Sequence, residues 1–178
     1  TWLSSITVSA AASDAAGLQT YAGNLYYSQQ AVLGRYDGTN GNANFGTFTN
    51  SNTNPKPMKV LAGSIFIGND NVVAQYDGTT FTASKLSLPS NFIIRSMEVF
   101  GDKLYMSSDN SSSNPTQSRM FIWDGTSNTF ESFIDIPSEK NAPSLKAESG
   151  FLWLVANRGN STPGSPIYVF NGSQSMFF

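Results

Sequence analysis

The chain contains no histidine and no cysteine, so any chemistry must come from carboxylates, hydroxyls, amides and cations. Without those two residue types, the usual nucleophile–base pairs and the commonest transition-metal sites cannot be built. A carboxylate pair of the kind that hydrolyses glycosides remains possible. Asp70 and Asp109 recur at one position of a sequence repeat, and they could also hold a hydrated calcium ion. No Asp-x-Asp-x-Asp spacing surrounds them, so the sequence predicts no catalytic residue, no metal site and no cofactor.

The composition restricts the possible partners. Only 12% of the 178 residues are charged and the net charge is −2, so the polar surface must come from Asn, Ser, Thr, Gln and Gly. This balance is typical of secreted, cell-surface and virion proteins, and we predict an extracellular location. Binding to nucleic acid needs clustered Lys and Arg, which the chain lacks. No apolar run approaches the roughly 20 residues that span a bilayer, so we predict no nucleic-acid partner and no membrane span.

A repeat organises the sequence. An aromatic residue followed by Asp-Gly-Thr, or by a close variant, begins at Tyr36, Tyr76, Trp123 and Phe170. The spacings between these positions are 40, 47 and 47 residues. Asp-Gly and Asn-Gly favour type I′ turns, in which both central residues have positive φ. Four such turns, each after an aromatic strand end, predict four copies of one β-unit.

A second landmark precedes each of these turns. Four short runs of aromatic and branched residues follow Gly23, Gly63, Gly101 and Gly150. Such runs are typical of strands, and their nearly continuous hydrophobicity indicates that both faces are covered. Each unit then divides into strands A to D, with strand B after the glycine and strand C before the Asp-Gly turn. Strand A is predicted at 58–62 and 92–100, and strand D at 81–88 and 130–136.

Four short strands in a unit of roughly 40–50 residues is the pattern of a propeller blade. Along its whole length the chain resembles the β-propeller superfamily, although it has no WD40, kelch or Asp-box signature. The resemblance implies an all-β fold of four-stranded antiparallel blades and transfers no functional residue. The predicted blades are residues 15–50, 55–88, 92–137 and 142–178.

The two ends of the chain leave the number of blades open. Residues 1–8 align with strand D of the other units, and Phe177 lies where a further strand D would start. In one interpretation, the N-terminal strand completes the last blade and closes a four-bladed ring. In the other, the chain is part of a larger ring of five to seven blades.

The predicted ligand surface is the face that carries the B–C connections. Tight A–B and C–D turns share one face, whereas the length variation falls in two B–C loops, at 109–118 and 157–166. Binding sites in repeat proteins often collect on such a face. Residues at the ends of the B strands could also surround the mouth of the channel: Gln30, Asp70, Asp109 and Asn157. The predicted ligand-binding residues are Asp70, Asp109, Asn110, Asn114, Asn157, Arg158 and Asn160. Alternatively, the loops vary in length and sequence without binding a ligand, and these side chains only cap the strand ends.

The aromatic residues are predicted to pack between blades rather than to bind sugars. The five at repeat-equivalent positions are Trp123, Trp153, Tyr36, Tyr76 and Tyr105. The function predicted is a non-catalytic recognition platform for protein or glycan, or a structural element that assembles with further blades or like subunits. Two alternatives stay open: a fragment of a secreted hydrolase or lyase whose catalytic residues lie outside the chain, and a spacer without a ligand.

Overall fold

The computed structural model of the chain describes residues 15–51, 54–110, 117–136, 144–155, 166–173 and 175–177. In this part of the chain the strands form four antiparallel sheets, each of four strands that are consecutive in the sequence. The predictions of an all-β fold and of four-stranded blades are therefore confirmed. The N-terminal strand predicted at residues 1–8 lies outside the described residues.

The strands of the first two blades follow the predicted order from A to D. Blade 1 contains β1 (Ala15–Tyr21), β2 (Asn24–Gln29), β3 (Val32–Tyr36) and β4 (Gly41–Thr47). Blade 2 contains β5 (Met58–Leu61), β6 (Ser64–Asn69), β7 (Val72–Tyr76) and β8 (Phe81–Ser87).

The last two blades repeat this order with longer connections. Blade 3 contains β9 (Phe92–Phe100), β10 (Lys103–Asn110), β11 (Gln117–Trp123) and β12 (Ser132–Ile136). Blade 4 contains β13 (Ser144–Glu148), β14 (Phe151–Val155), β15 (Ile167–Phe170) and β16 (Ser175–Phe177). Strand β16 pairs with β15 and so occupies the strand D position of blade 4.

The first strands of successive blades lie next to one another. Strand β1 contacts β5, β5 contacts β9, and β9 contacts β13. This places strand A of each blade on the inner side of the arrangement, with strands B to D further out, as in a propeller. The polar side chains at the ends of these inner strands can therefore meet across blade boundaries.

The core lies between the blades. Three buried apolar clusters fill the junctions of blades 1 and 2, 2 and 3, and 3 and 4. Every residue of β6 is buried, which confirms that a central B strand is covered on both faces. In β14, buried and more exposed residues alternate instead, so only one face of blade 4 is well covered.

One aromatic contact recurs at each described junction. The aromatic residue in the middle of a B strand packs against the aromatic residue that precedes the Gly-containing turn of the next blade. The ring centroids are 5.6 Å apart for Tyr26 and Tyr76, 5.0 Å for Phe66 and Trp123, and 5.8 Å for Tyr105 and Phe170. Edge-on and tilted aromatic pairs at these distances add stabilisation beyond their buried area. The repeat therefore specifies both members of each inter-blade contact.

The conformation predicted for the Asp-Gly turns is wrong. The glycines have positive φ, for example 96° at Gly38, but the preceding aspartates do not. Two consecutive positive φ values occur instead at three of the A–B turns, for example at Ala22 and Gly23. At the Asp-Gly turn, the Asp37 carboxylate accepts hydrogen bonds from the backbone N–H groups of Thr39 and Asn40, at 2.9 and 2.7 Å. A side-chain acceptor thus organises a longer turn.

The aromatic residue before the turn also contributes to it. The Tyr36 hydroxyl donates to the Gly38 carbonyl at 2.8 Å, and the Tyr76 hydroxyl donates to the Gly78 carbonyl at 2.7 Å. In blade 3, the indole N–H of Trp123 donates to the Ser127 carbonyl at 3.0 Å. Aromatic residues with a polar tip therefore join the turn to the inter-blade core.

Blade 3 departs from the prediction at its D strand and has a longer C–D connection. Its D strand begins at Ser132 and not at residue 130, because Phe130 leaves the sheet edge and packs on Phe121 with ring centroids 4.9 Å apart. The C–D connection of this blade spans 124–131, whereas that of blade 1 spans 37–40. Length variation is thus not confined to the B–C face.

Replacing Gly78 by valine should lower the free energy of unfolding. Gly78 has a φ of +100°, and a Cβ atom there would lie 3.1 Å from the Tyr21 hydroxyl oxygen. A branched residue in this backbone region costs about 1–3 kcal/mol. Urea unfolding of Gly78→Val should show this loss, whereas Thr82→Val, on the exposed side of β8, should unfold like the wild type. Equal midpoints for all three proteins would contradict the turn geometry.

The turn aspartates should make the protein sensitive to acid. Hydrogen bonds from the backbone N–H groups of Ser127 and Thr126 lower the pKa of Asp124 from 3.8 to about 2. Between about pH 4 and pH 2 the unfolded chain binds more protons than the folded one. The stabilisation of the folded state by ionised Asp124 is therefore complete above about pH 4 and is lost as the pH falls through about 2.

Urea unfolding between about pH 5 and pH 2 should therefore show a smaller decline for Asp124→Asn than for the wild type. Asparagine keeps the turn, because the Asn171 side-chain oxygen accepts from the Ser173 N–H at 3.0 Å in blade 4. Identical declines for the two proteins would show that Asp124 does not contribute.

Candidate functional site

The B–C connections differ greatly between blades. They span 30–31 and 70–71 in blades 1 and 2, but 111–116 and 156–166 in blades 3 and 4. All four A–B turns have the same two-residue length. Blades 3 and 4 therefore both carry additional chain on the B–C face.

The structure describes three of the seven predicted site residues. Asp70 lies in a two-residue B–C turn with a φ of 57°. Asp109 and Asn110 were predicted in a loop, but they end strand β10, each only 4% exposed, because their pairing with β11 continues to residue 117. The others lie outside the described residues: Asn114, Asn157, Arg158 and Asn160.

A β-bulge in β9 places Arg95 beside Asp109. In the pairing of β9 with β10, Ser96 is opposite Ser107 and Ile94 is opposite Ser108, so Arg95 is an additional residue without a partner in the ladder. Bulges re-aim side chains and are common next to functional sites. The Arg95 Nε atom lies 3.1 Å from both carboxylate oxygens of Asp109, which forms a partly buried ion pair.

Lys56 occupies the equivalent position in blade 2. It lies two residues before Met58, as Arg95 lies two residues before Met97, and these two methionines have equivalent partners in the two sheets. The Lys56 side chain is fully buried. Its ammonium nitrogen donates to the Asn69 side-chain oxygen at 3.0 Å. Burial lowers the pKa of Lys56, and the negative charge of Asp70 opposes this effect.

Asn54 connects the two blades. Its amide nitrogen donates to an Asp70 carboxylate oxygen at 2.6 Å, and its side-chain oxygen accepts from Arg95 Nη1 at 3.3 Å. We call Asn54, Lys56, Asp70, Arg95 and Asp109 the inter-blade polar network. The network contains both predicted acids, and each has a cation near it. Arg95 forms an ion pair with Asp109, and Lys56 interacts with the charge of Asp70.

The three residues that complete this network were missed in the sequence, although a signal for two of them was present. The separation of Lys56 from Asp70 along the chain is the same as that of Arg95 from Asp109. Blade 1 has Gln30 at the position of the two aspartates. The charged pairs therefore belong to blades 2 and 3. Asn54 could not be found because it lies in an irregular connection.

The network balances two cations with two carboxylates. No group of three His, Cys, Asp or Glu residues in the described ranges is arranged to hold a metal ion. Because the Asp70 and Asp109 carboxylates already accept hydrogen bonds within the network, the arrangement fixes the B–C ends of blades 2 and 3 relative to each other.

Comparisons with known proteins identify the fold. No protein-family model and no curated protein matches the chain. Among solved structures, it is similar to the N-terminal domain of Nup159, with 15% identity and a TM-score of 0.53 over 90% of this chain and 46% of that one.

Two further structures give comparable similarity. An α-L-arabinofuranosidase from Clostridium thermocellum has 13% identity and a TM-score of 0.54, over 92% of this chain and 70% of that one. A neuraminidase-like protein of A/little yellow-shouldered bat/Guatemala has 7% identity and a TM-score of 0.55, over 86% and 53%. The chain thus spans about half the length of two of these three proteins.

These similarities, together with the four successive antiparallel blades, show that the chain has a β-propeller fold. At such low identity they carry no residue role to this chain. No helix among the described residues is long and apolar enough to cross a membrane.

Asp109→Ala should destabilise the protein much more than an equivalent change at an exposed ion pair. It would leave the Arg95 guanidinium partly buried without its carboxylate, which we expect to cost about 2–3 kcal/mol, somewhat less than in a fully buried pair. The matched control is Asp135→Ala, which removes the exposed Arg119–Asp135 pair, and its expected cost is about 0–1 kcal/mol. Similar losses in chemical denaturation would contradict a structural role for Arg95–Asp109.

Proposed function

We propose that this protein is a non-catalytic propeller module that recognises a protein or a glycan through its B–C face. The observation that carries the proposal is the length of the B–C connections, which are two-residue turns in blades 1 and 2 but span 111–116 and 156–166 in blades 3 and 4. Loops on a rigid scaffold are where binding residues are most often found.

The inter-blade polar network supports a binding role over a catalytic one. A general acid or base needs a group that can donate a proton to the substrate or accept one from it. Here the Asp109 carboxylate already accepts from Arg95, and the Asp70 carboxylate accepts from Asn54. These bonds make the carboxylates part of the scaffold that joins blades 2 and 3.

The composition supports an extracellular or virion setting. A surface made polar by Asn, Ser and Thr, with 12% charged residues and no cysteine, suits a secreted or displayed domain that is stabilised by its core and not by disulfides. We therefore propose that the module is displayed on a cell surface or a virus particle, where it contacts its ligand through residues 111–116 and 156–166.

Shortening the two loops tests this proposal. In one variant residues 156–166 are replaced by Asp-Asn, the two-residue turn of blade 2, and in a second residues 111–116 are replaced by Asn-Gly. The control is Asn128→Ala, an exposed change in the C–D connection of blade 3. Binding to an immobilised glycan array should weaken about tenfold or more in at least one loop variant. The unfolding midpoint should stay the same.

Three outcomes would contradict the proposal in different ways. Unchanged glycan binding by both loop variants would place the ligand elsewhere. Weaker binding by Asn128→Ala would place it on the opposite face. Cleavage of array glycans by the wild type would show an enzyme and support the alternative of a hydrolase.

A further inference from the structure

Blade 4 exposes a side chain that the other blades bury. Trp153 stands at the middle of β14, at the position that is occupied in blades 1 to 3 by Tyr26, Phe66 and Tyr105. Those three are buried against the next blade, whereas Trp153 is 37% exposed. Its indole contacts Phe151 and donates to the Glu148 carbonyl, both within blade 4. The sequence predicted that Trp153 packs between blades. That prediction is wrong for the described part of the chain, in which no second blade covers Trp153.

The same face of blade 4 has further uncovered apolar positions. Ile167 pairs with Val155, and both are exposed large hydrophobic residues. The residues equivalent to Ile167 in the other blades are all buried: Leu33, Val73 and Met120. Blade 4 thus has the apolar surface of a blade junction, and no blade among the described residues follows it.

Blade 1 has the complementary uncovered face. Leu18 in β1 is opposite Tyr27 and is 66% exposed. Its equivalents in the inner strands of the other blades pack against the preceding blade and are buried: Met58, Met97 and Leu145. Tyr36 is also only partly buried. In the other junctions the residue at this position packs against the B-strand aromatic residue of the preceding blade.

An ion pair between the inner strands of blades 2 and 3 shows which residues would meet if blade 4 packed against blade 1. Lys59 and Glu98 lie at the same position of β5 and β9 and form an ion pair at 2.9 Å. The equivalent residues of the outer blades are Gln19 in β1 and Lys146 in β13. If blade 4 met blade 1 as blade 2 meets blade 3, the Lys146 ammonium would face the Gln19 amide.

We propose that two copies of this chain associate head to tail, so that blade 4 of each packs against blade 1 of the other. Trp153 then packs on Tyr36 of the second copy, in the manner of Phe66 on Trp123. The occupant is a second copy because the exposed faces are the two halves of the junction that the repeat already builds three times.

The geometry also allows the association to stop at two copies. A head-to-tail contact generates a ring when the rotation closes. Two chains of four blades give a ring within the range of roughly four to eight blades that is typical of propellers. Both copies then bury both uncovered faces, which removes exposed apolar patches of the kind that usually mark an interaction site.

The mass of this 178-residue chain in solution is the first test. Multi-angle light scattering across a concentration series should give twice the chain mass of 19.2 kDa. Trp153→Glu and Leu18→Lys each place a charge in both junctions and should reduce the measured mass to that of a single chain. The control Thr82→Glu, on the exposed side of β8, should leave the mass unchanged.

Cross-linking tests which residues meet and does not depend on dissociation. The chain has no cysteine of its own, so Gln19→Cys and Lys146→Cys introduce single reactive thiols. A short bismaleimide should produce a covalent dimer when the two variants are mixed, because residue 19 faces residue 146 only across the junction. Neither variant alone should cross-link, since each of its thiols lies at a different junction.

A monomeric wild type at every concentration would overturn the proposal. A dimer that cross-links with Lys146→Cys alone would also overturn it, because blade 4 would then meet blade 4. Cross-linking within one chain of the double variant, with the mass of a single chain, would show instead that blade 4 meets blade 1 of the same copy.

Discussion

Each blade of this protein is a small sheet with two apolar faces, and both faces must be covered by neighbouring blades. Burying a large apolar side chain contributes about 1.5–3 kcal/mol relative to leaving it in water, so the stability of every blade depends on the next one. The contact of Phe66 with Trp123 and its two equivalents is the recurrent form of this dependence. The exposed Trp153 follows from the same constraint, because burial depends on the presence of a neighbour.

The turns and the core are coupled by the aromatic residues that precede Asp-Gly. Tyr76 packs against Tyr26 of the preceding blade and donates its hydroxyl to the Gly78 carbonyl. One side chain thus stabilises a junction and a turn, and the Asp77 carboxylate completes the turn by accepting backbone N–H groups. This explains why the signature consists of an aromatic residue together with Asp-Gly, and why Asn can replace Asp in blade 4.

The polar network shows how charge is accommodated at the ends of the inner strands. Arg95 and Lys56 are buried or partly buried cations, and each has a carboxylate at the same distance further along the sequence. Their placement depends on an irregular backbone, which for Arg95 is a β-bulge. Asn54 then links two blades through bonds that local sequence patterns do not reveal. The result is a set of hydrogen bonds that joins the B–C ends of blades 2 and 3.

The sequence alone determined the number and order of the strands in the four described blades, because the aromatic-Asp-Gly signature and the glycine before each B strand act locally. It also located Asp70 and Asp109 at one repeat position. Tertiary structure decided the rest. The Asp-Gly turns take their conformation from carboxylate hydrogen bonds, and Asp109 belongs to a strand because β11 pairs with it. Trp153 and Tyr105 have equivalent places in the repeat, yet only Tyr105 is buried, because among the described residues a further blade covers blade 3 but not blade 4.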